Sequence, residues 1–340
     1  MKTQIDNFLH SRLEKNPDLR ELYHTIKKDL DKVEKQLESI SDSPNKLISD
    51  VATYLFQKKG KRVRPALLIL CSKLYDYQGN EDIRLSAVVE IIHTASLIHD
   101  DIIDKSMIRR GKKTVHAKWG PNITVLLGDY LYITSIGLAL KNKYKHIIEL
   151  LTETSAQMIE GEITEYCMSG NIEISEQEYF DIIDKKTASL FSVTCQIGGI
   201  LGQAPEKEEN FLADYGTNLG MSFQIIDDLL NYAGDEKILG KPVLSDLKEG
   251  RITLPLIYTL NNDSRTNRER IKEMLNSRNF KNEFQEEILN IIRSNGALDY
   301  SYQKAKEYAE KCKEIISHLP ESVQRDALYQ FSDFIITRRK

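Results

Sequence analysis

Apolar residues recur with helical spacing over long stretches of this chain. Val88, Ile91, Ile92, Ala95, Ile98 and Ile102 follow i, i+3, i+4 spacing up to an acidic cluster. Leu212, Tyr215, Leu219, Phe223, Ile226 and Leu230 do the same up to a second one. Such spacing marks one face of an α-helix. The 8 prolines, at positions 17, 44, 65, 121, 205, 242, 255 and 320, leave long uninterrupted segments, which favours helices. Sustained strand alternation, a βαβ rhythm, repeats and Gly/Ser-rich linkers are all missing from the pattern. It predicts one large all-α domain over residues 1–340. Residues 1–45 are more polar and are expected to form amphipathic helices laid on the outside. The charge-dense stretch 261–282 is expected to be loop plus exposed helix.

Bulk properties narrow the class. The 340 residues exceed the ~250–300 at which single cores usually stop growing, so length alone permits two domains. An apolar fraction of 41% supports a substantial core, and 29% charged residues suit a solvated surface. A net charge of −4 and a pI near 6.1 argue against nucleic-acid binding. Cys71, Cys167, Cys195 and Cys312 are scattered without CxxC spacing and read as ordinary thiols of a reducing compartment. The N-terminal stretch lacks the apolar core of a signal peptide, and no run of ~18 apolar residues occurs. A cytoplasmic location is expected.

The chemistry concentrates in Asp100-Asp101-Ile102-Ile103-Asp104 and Asp227-Asp228-Leu229-Leu230-Asn231. Positions i and i+4 share a helix face, so Asp100 and Asp104 point one way, as do Asp227 and Asn231. A carboxylate pair ~5 Å apart repels by roughly 3 kcal/mol at an effective dielectric of ~20, so something cationic must offset it. One or two carboxylates per segment suit Mg²⁺, which keeps several waters and binds with substrate phosphates. The physical reading is a diphosphate held by Mg²⁺ between two facing helices. The bland reading of the first cluster is a solvated helix end, with Arg109 and Arg110 as surface partners. That reading is weaker for the second cluster, which interrupts an otherwise apolar stretch.

Other candidates are softer. Gly60-Lys61-Arg62-Val63-Arg64-Pro65 places cations before an apolar helix, either a solvated helix start or an anion site. His93 shares a stripe with Asp100 and Asp104, although a lone histidine on an apolar helix is usually a core residue. Lys186, in Lys186-Thr187-Ala188-Ser189-Leu190-Phe191, could simply snorkel. Gln157, Gly161, Glu162 and Cys195 read as packing residues, and Trp119 is given no role.

Together these segments resemble the trans-prenyl (polyprenyl) diphosphate synthases of long-chain type. GKRVRP at 60–65, DDIID at 100–104 with RRG at 109–111, KTASLF at 186–191, FQIIDDLLN at 223–231, GKPVLSDLKEG at 240–250 and TLP at 253–255 carry the likeness. It implies a bundle of long antiparallel helices around a central cavity, paired as a homodimer. It also implies head-to-tail condensation of isopentenyl diphosphate with an allylic diphosphate. Asp100, Asp104 and Asp227 would ligate Mg²⁺, with Asp101 and Asp228 in support. Arg109, Lys186, Lys241 and Arg251 would hold the allylic diphosphate, and Lys61, Arg64, His93 and Arg110 isopentenyl diphosphate. Thr187 and Gln224 would lie beside the reacting carbons. Two positions depart from the family: Asn231 stands where Asp is common, and Arg251 where Lys is usual. Small residues at Ala95 and Ser96, just before the first cluster, imply an open cavity and a long-chain product. Geranylgeranyl diphosphate is the shorter alternative. A heteromeric catalytic subunit with a small partner, a class I terpene cyclase and a non-catalytic scaffold are the other readings. A long product would also imply loose membrane contact.

Overall fold

Start signals and apolar stripes set each long helix. The computed structural model describes residues 19–57, 60–109, 111–141, 144–233, 244–276 and 282–338. Its principal helices are α1 (Lys27–Glu38), α2 (Lys46–Phe56), α3 (Val63–Lys73), α4 (Glu81–Ile103), α5 (Pro121–Ala139), α6 (Lys145–Met168) and α7 (Glu176–Ile183). After them come α8 (Ser189–Gly202), α9 (Glu206–Ala233), α10 (Leu254–Asn262), α11 (Arg265–Asn276), α12 (Asn282–Ser294), α13 (Ala297–Ser317) and α14 (Val323–Thr337). Asn45 caps α2 by accepting from the Leu47 and Ile48 amides. Ser175 and Glu178 form a reciprocal capping box on α7. Each cap satisfies amides that the helix itself cannot. Pro65 lies in the first turn of α3 and Pro121 opens α5, where a missing amide proton costs nothing.

The predicted all-α architecture is what is observed. Among the described residues, strand structure is confined to a hairpin pairing Ile108 with Lys113 and Arg109 with Lys112. The hairpin was not foreseen; Gly111, at φ +74°, supplies its left-handed turn. α9 packs against α13 on one side and α8 on the other; α8 also lies on α3, α3 on α4, and α4 on α5. One buried cluster, with Leu67, Ile91, Ala95, Ile98, Leu127, Leu131 and Phe191, fills the space around α3, α4 and α5. A second, with Leu68, Leu85, Val88, Val89, Ile92, Val193 and Leu201, lines the opposite side of α4. A cavity of about 590 Å³ opens at the N-terminal end of α4, lined by Tyr75, Tyr77, Tyr144 and Leu201 among others.

The N-terminal helices lie on the outside with a narrow apolar stripe turned inward, as amphipathic helices should. Leu22, Ile26, Val33 and Leu37 are almost wholly buried, and Glu34 is buried with them. The segment looks polar because the stripe it buries is narrow. α5 is long and apolar enough to cross a membrane by length and composition, with a third of it buried.

Candidate active site

α4 ends at its acids. Asp104 is the residue that closes the helix, so all three carboxylates crowd the negative end of the helix dipole, where anions are disfavoured. Each is answered by a cation. Arg109, from the hairpin, donates through Nε to Asp101 at 2.7 Å. Arg251 donates through Nη1 to Asp104 at 2.9 Å. Lys186 faces Asp100 electrostatically. Burial nevertheless pushes the Asp100 carboxyl up to about 7; Lys186 and Arg109 oppose that rise, while Glu162 and Asp104 add to it. The acid set still lacks positive charge.

The second cluster divides its work. Buried Asp228 accepts from Tyr179 Oη at 2.7 Å and from Gln224 Nε2 at 2.8 Å. Gln224 Oε1 in turn accepts from Thr187 Oγ1 at 2.9 Å, which places Thr187 and Gln224 side by side. Burial and then Asp246 hold the Asp228 carboxyl up to about 7 despite those two donors. Asp227 is more open and lies 3.4 Å from Arg338 Nη2. Asn231 is fully buried. Its amide donates to Ser245 Oγ at 2.8 Å and accepts from the Asp246 backbone at 3.4 Å. It therefore fastens the 244–246 segment without adding a negative charge to the buried site, as an aspartate would. That segment carries Asp246 to Arg251, 3.1 Å away.

Lys186 and Thr187 sit in a π-helical turn, Asp184–Ala188, between α7 and α8. Such an insertion re-aims side chains and is frequent at functional sites. Lys186 Nζ lies 2.5 Å from Glu162 and also contacts Glu165. Burial opposes its charge, but Glu165, Asp100 and Glu162 together raise its pKa. Gly161 makes the approach of α6 possible: a Cβ there would lie 2.7 Å from the Lys186 backbone nitrogen. Glu162, read from sequence as a packing residue, is thus a charged partner of the site. The Gly161-Glu162-x-x-Glu165 spacing, two acids on an otherwise apolar helix face, was the signal available for it.

The basic hexapeptide meets the other motifs through rings. The Arg64 guanidinium stacks 4.3 Å from the Phe191 centroid, Lys61 Nζ lies 5.6 Å from Phe334, and Arg338 stacks 3.7 Å from Phe223. Phe191 and Phe223 are themselves 5.3 Å apart. Arg338 is buried, and its Nε has no acceptor from the protein. Sequence reading missed this residue; its one signal was the basic run Arg338-Arg339-Lys340. His93 is half-buried on α4, and its carbonyl accepts from Ser96 Oγ. Arg110 and Lys241 lie outside the described residues. Ala95 is fully buried, whereas Ser96 is partly open.

Residues 45–292 match the family model described as polyprenyl synthetase. The chain belongs to that family. A geranylgeranyl diphosphate synthase of Saccharolobus solfataricus is 36% identical over 304 residues, 87% of this chain and 91% of its own. Component 2 of the heptaprenyl diphosphate synthase of Bacillus subtilis is 34% identical over 317 residues, covering 93% and 90%. The crystal structure of a polyprenyl synthase from Caulobacter crescentus, complexed with calcium and isoprenyl diphosphate, superposes with a TM-score of 0.92 at 31% identity, covering 96% of this chain and 99% of that one. The chain is a prenyltransferase acting on isoprenyl diphosphates, and it has the all-α isoprenoid synthase fold.

Proposed function

We propose that this polyprenyl synthetase extends farnesyl or geranylgeranyl diphosphate with isopentenyl diphosphate, using Mg²⁺, to a long all-trans polyprenyl diphosphate. The observation that carries the reading is the convergence at Lys186 and Thr187. Lys186 faces Asp100 of the first cluster, and Thr187 reaches Asp228 of the second through Gln224.

Asp100, Asp104 and Asp227 are the residues to hold Mg²⁺, with Asp101 and Asp228 behind them. Asp100 and Asp104 offer hard carboxylate oxygens one turn apart at the end of α4, where burial, then Glu162 and Asp104, push the Asp100 carboxyl up. That fits Mg²⁺, which keeps waters and takes diphosphate oxygens as ligands. When bound, it supplies Lewis-acid neutralisation of charge growing on the leaving diphosphate. Lys186, Arg251, Arg109 and Lys241 grip that diphosphate. Its C–O bond breaks, and the electron pair leaves with it. The double bond of isopentenyl diphosphate, oriented by Lys61, Arg64, His93 and Arg110, attacks the allylic cation and forms the new C–C bond. Loss of a proton to the released diphosphate restores a double bond. Thr187 Oγ1 and Gln224 flank the cation with fixed dipoles, and the apolar side of α4 below Ser96 excludes water.

Leu126, Ile133 and Leu140 are exposed at seven-residue intervals on and just beyond α5, and Ile159, Ile163 and Tyr166 form a second exposed stripe on α6. Apolar surface of this kind marks an interface and supports a homodimer. The name of the Bacillus subtilis relative favours a second reading, a catalytic subunit needing a small partner. Both readings keep the protein cytoplasmic, touching a membrane only to deliver its product. The test is the purified chain with Mg²⁺, labelled isopentenyl diphosphate and farnesyl diphosphate, with products sized by chromatography. A ladder ending at one long length supports the proposal. Mg²⁺-dependent binding of farnesyl diphosphate without incorporation favours the partnered form. Neither binding nor incorporation overturns both.

A further inference from the structure

We infer that Arg62 is a positioning residue of the isopentenyl diphosphate half-site, and that α1 belongs to that half-site through Glu34. The inference rests on the reading that Lys61, Arg64 and His93 take this substrate. Arg62 stands between two of those cations in sequence, yet it turns inward and is buried. Its Nε and Nη2 donate to the two oxygens of Glu34 on α1, at 2.7 and 3.2 Å. Its Nη1 donates to Glu90 on α4 at 2.7 Å. One planar fork thus fixes three elements: the hexapeptide, α1, and the turn of α4 that holds His93, three residues after Glu90.

The backbone shows what the fork achieves. Arg62 adopts φ 53°, ψ 39°, a left-handed conformation that branched or long side chains rarely enter unaided. Reversing the chain at this residue sends Arg62 into the core, while its neighbours reach the rings of Phe334 and Phe191. A second clasp acts beside it: Tyr23 Oη donates to the Lys61 carbonyl at 2.7 Å. Arg62 touches no substrate in this arrangement. It sets where Lys61 and Arg64 stand relative to His93.

The experiment compares the full-length chain with Glu34→Gln, which keeps shape and removes one charge, and Tyr23→Phe, which removes a single hydroxyl and no packing volume. For Glu34→Gln the KM for isopentenyl diphosphate should rise about tenfold, the size of one weakened charge-assisted bond. Tyr23→Phe should raise it less, in the same direction. In both, the KM for farnesyl diphosphate and kcat should stay within about twofold, because the allylic groups are untouched. Should Glu34→Gln fail to fold, Tyr23→Phe decides alone. An unchanged isopentenyl KM, or equal rises for both substrates, overturns the inference and leaves a merely structural ion pair. A wild-type chain that neither turns over nor binds isopentenyl diphosphate in calorimetry overturns the functional reading, and this inference with it.

Discussion

Replacing Gly161 by alanine sets two effects of known size against each other. Alanine within a helix is worth about 1 kcal/mol over glycine, so an unobstructed Gly161→Ala would stabilise α6. Here the new methyl would stand 2.7 Å from the Lys186 nitrogen, 3.1 Å from its Cα and 3.0 Å from Lys185 Cβ. Carbon contacts settle near 3.5–4.0 Å, so α6 and the π-helical turn must part by roughly 0.8 Å. Overpacking of that kind costs about 1–3 kcal/mol. The net change in stability is therefore small, about 0–2 kcal/mol, or a few degrees in Tm. The functional change is larger. Lys186 would move relative to Asp100 and Gln224, and a misplacement of ~1 Å costs on the order of 10²-fold in rate. Steady-state turnover of isopentenyl and farnesyl diphosphates, alongside thermal unfolding, should show kcat down roughly 10- to 100-fold with the protein still folded. Wild-type kcat with a raised Tm would refute the idea that this close approach positions Lys186.

Asn231→Asp should not raise turnover: it removes the donor to Ser245 and adds a buried carboxylate beside Asp246, a loss of about 1–3 kcal/mol in chemical denaturation; a turnover gain above about tenfold would instead mark the native second cluster as defective. Ser96→Phe, four residues and one turn below Asp100 on the same face, should shorten the product in the sizing assay. Ala95→Phe, at a fully buried position, should first lower Tm through overpacking; product lengths unchanged in both would remove this turn from length control. In metal-free protein the Asp228 carboxyl, raised to about 7, keeps its proton in the folded state over a range where the unfolded chain has lost it. Its contribution to stability is therefore greatest at low pH and is lost as pH rises toward 7. Tm between about pH 4 and 7 should fall with pH, and Asp228→Asn should flatten that slope; an unaltered slope would show that Asp228 does not cause it.

Much of this site could be read from the chain because its parts are local. An i, i+4 pair of carboxylates at the end of an apolar stripe announces itself, as does a run of cations before a helix. The partners that come from afar could not be read. Arg251 is 147 positions from Asp104, and Arg338 is 111 from Asp227; nothing in local periodicity joins them. At Asn231 the sequence shows only an amide where the family commonly has Asp; the backbone amide that it accepts from is invisible there. Glu34 looked like one of many surface charges, since burial by a single ion pair leaves no periodic trace. The π-helical turn at Asp184–Ala188 also went unread: a single extra residue shifts the helical phase only once, too little to register as a break in the pattern.

α4 can also be taken as a length. From Glu81 to Asp100 it rises about 28 Å at 1.5 Å per residue. An extended isoprene unit, four bonds of ~1.5 Å set at an angle, advances about 5 Å. Some six units therefore match the helix from its acidic end to the cavity by Tyr77 and Tyr144. The hydrocarbon core of a bilayer is about 30 Å thick. A product that followed α4 to its far end would be as long as the membrane leaflets are deep together, and any further unit would emerge tail first at the cavity, away from the charged end that made it.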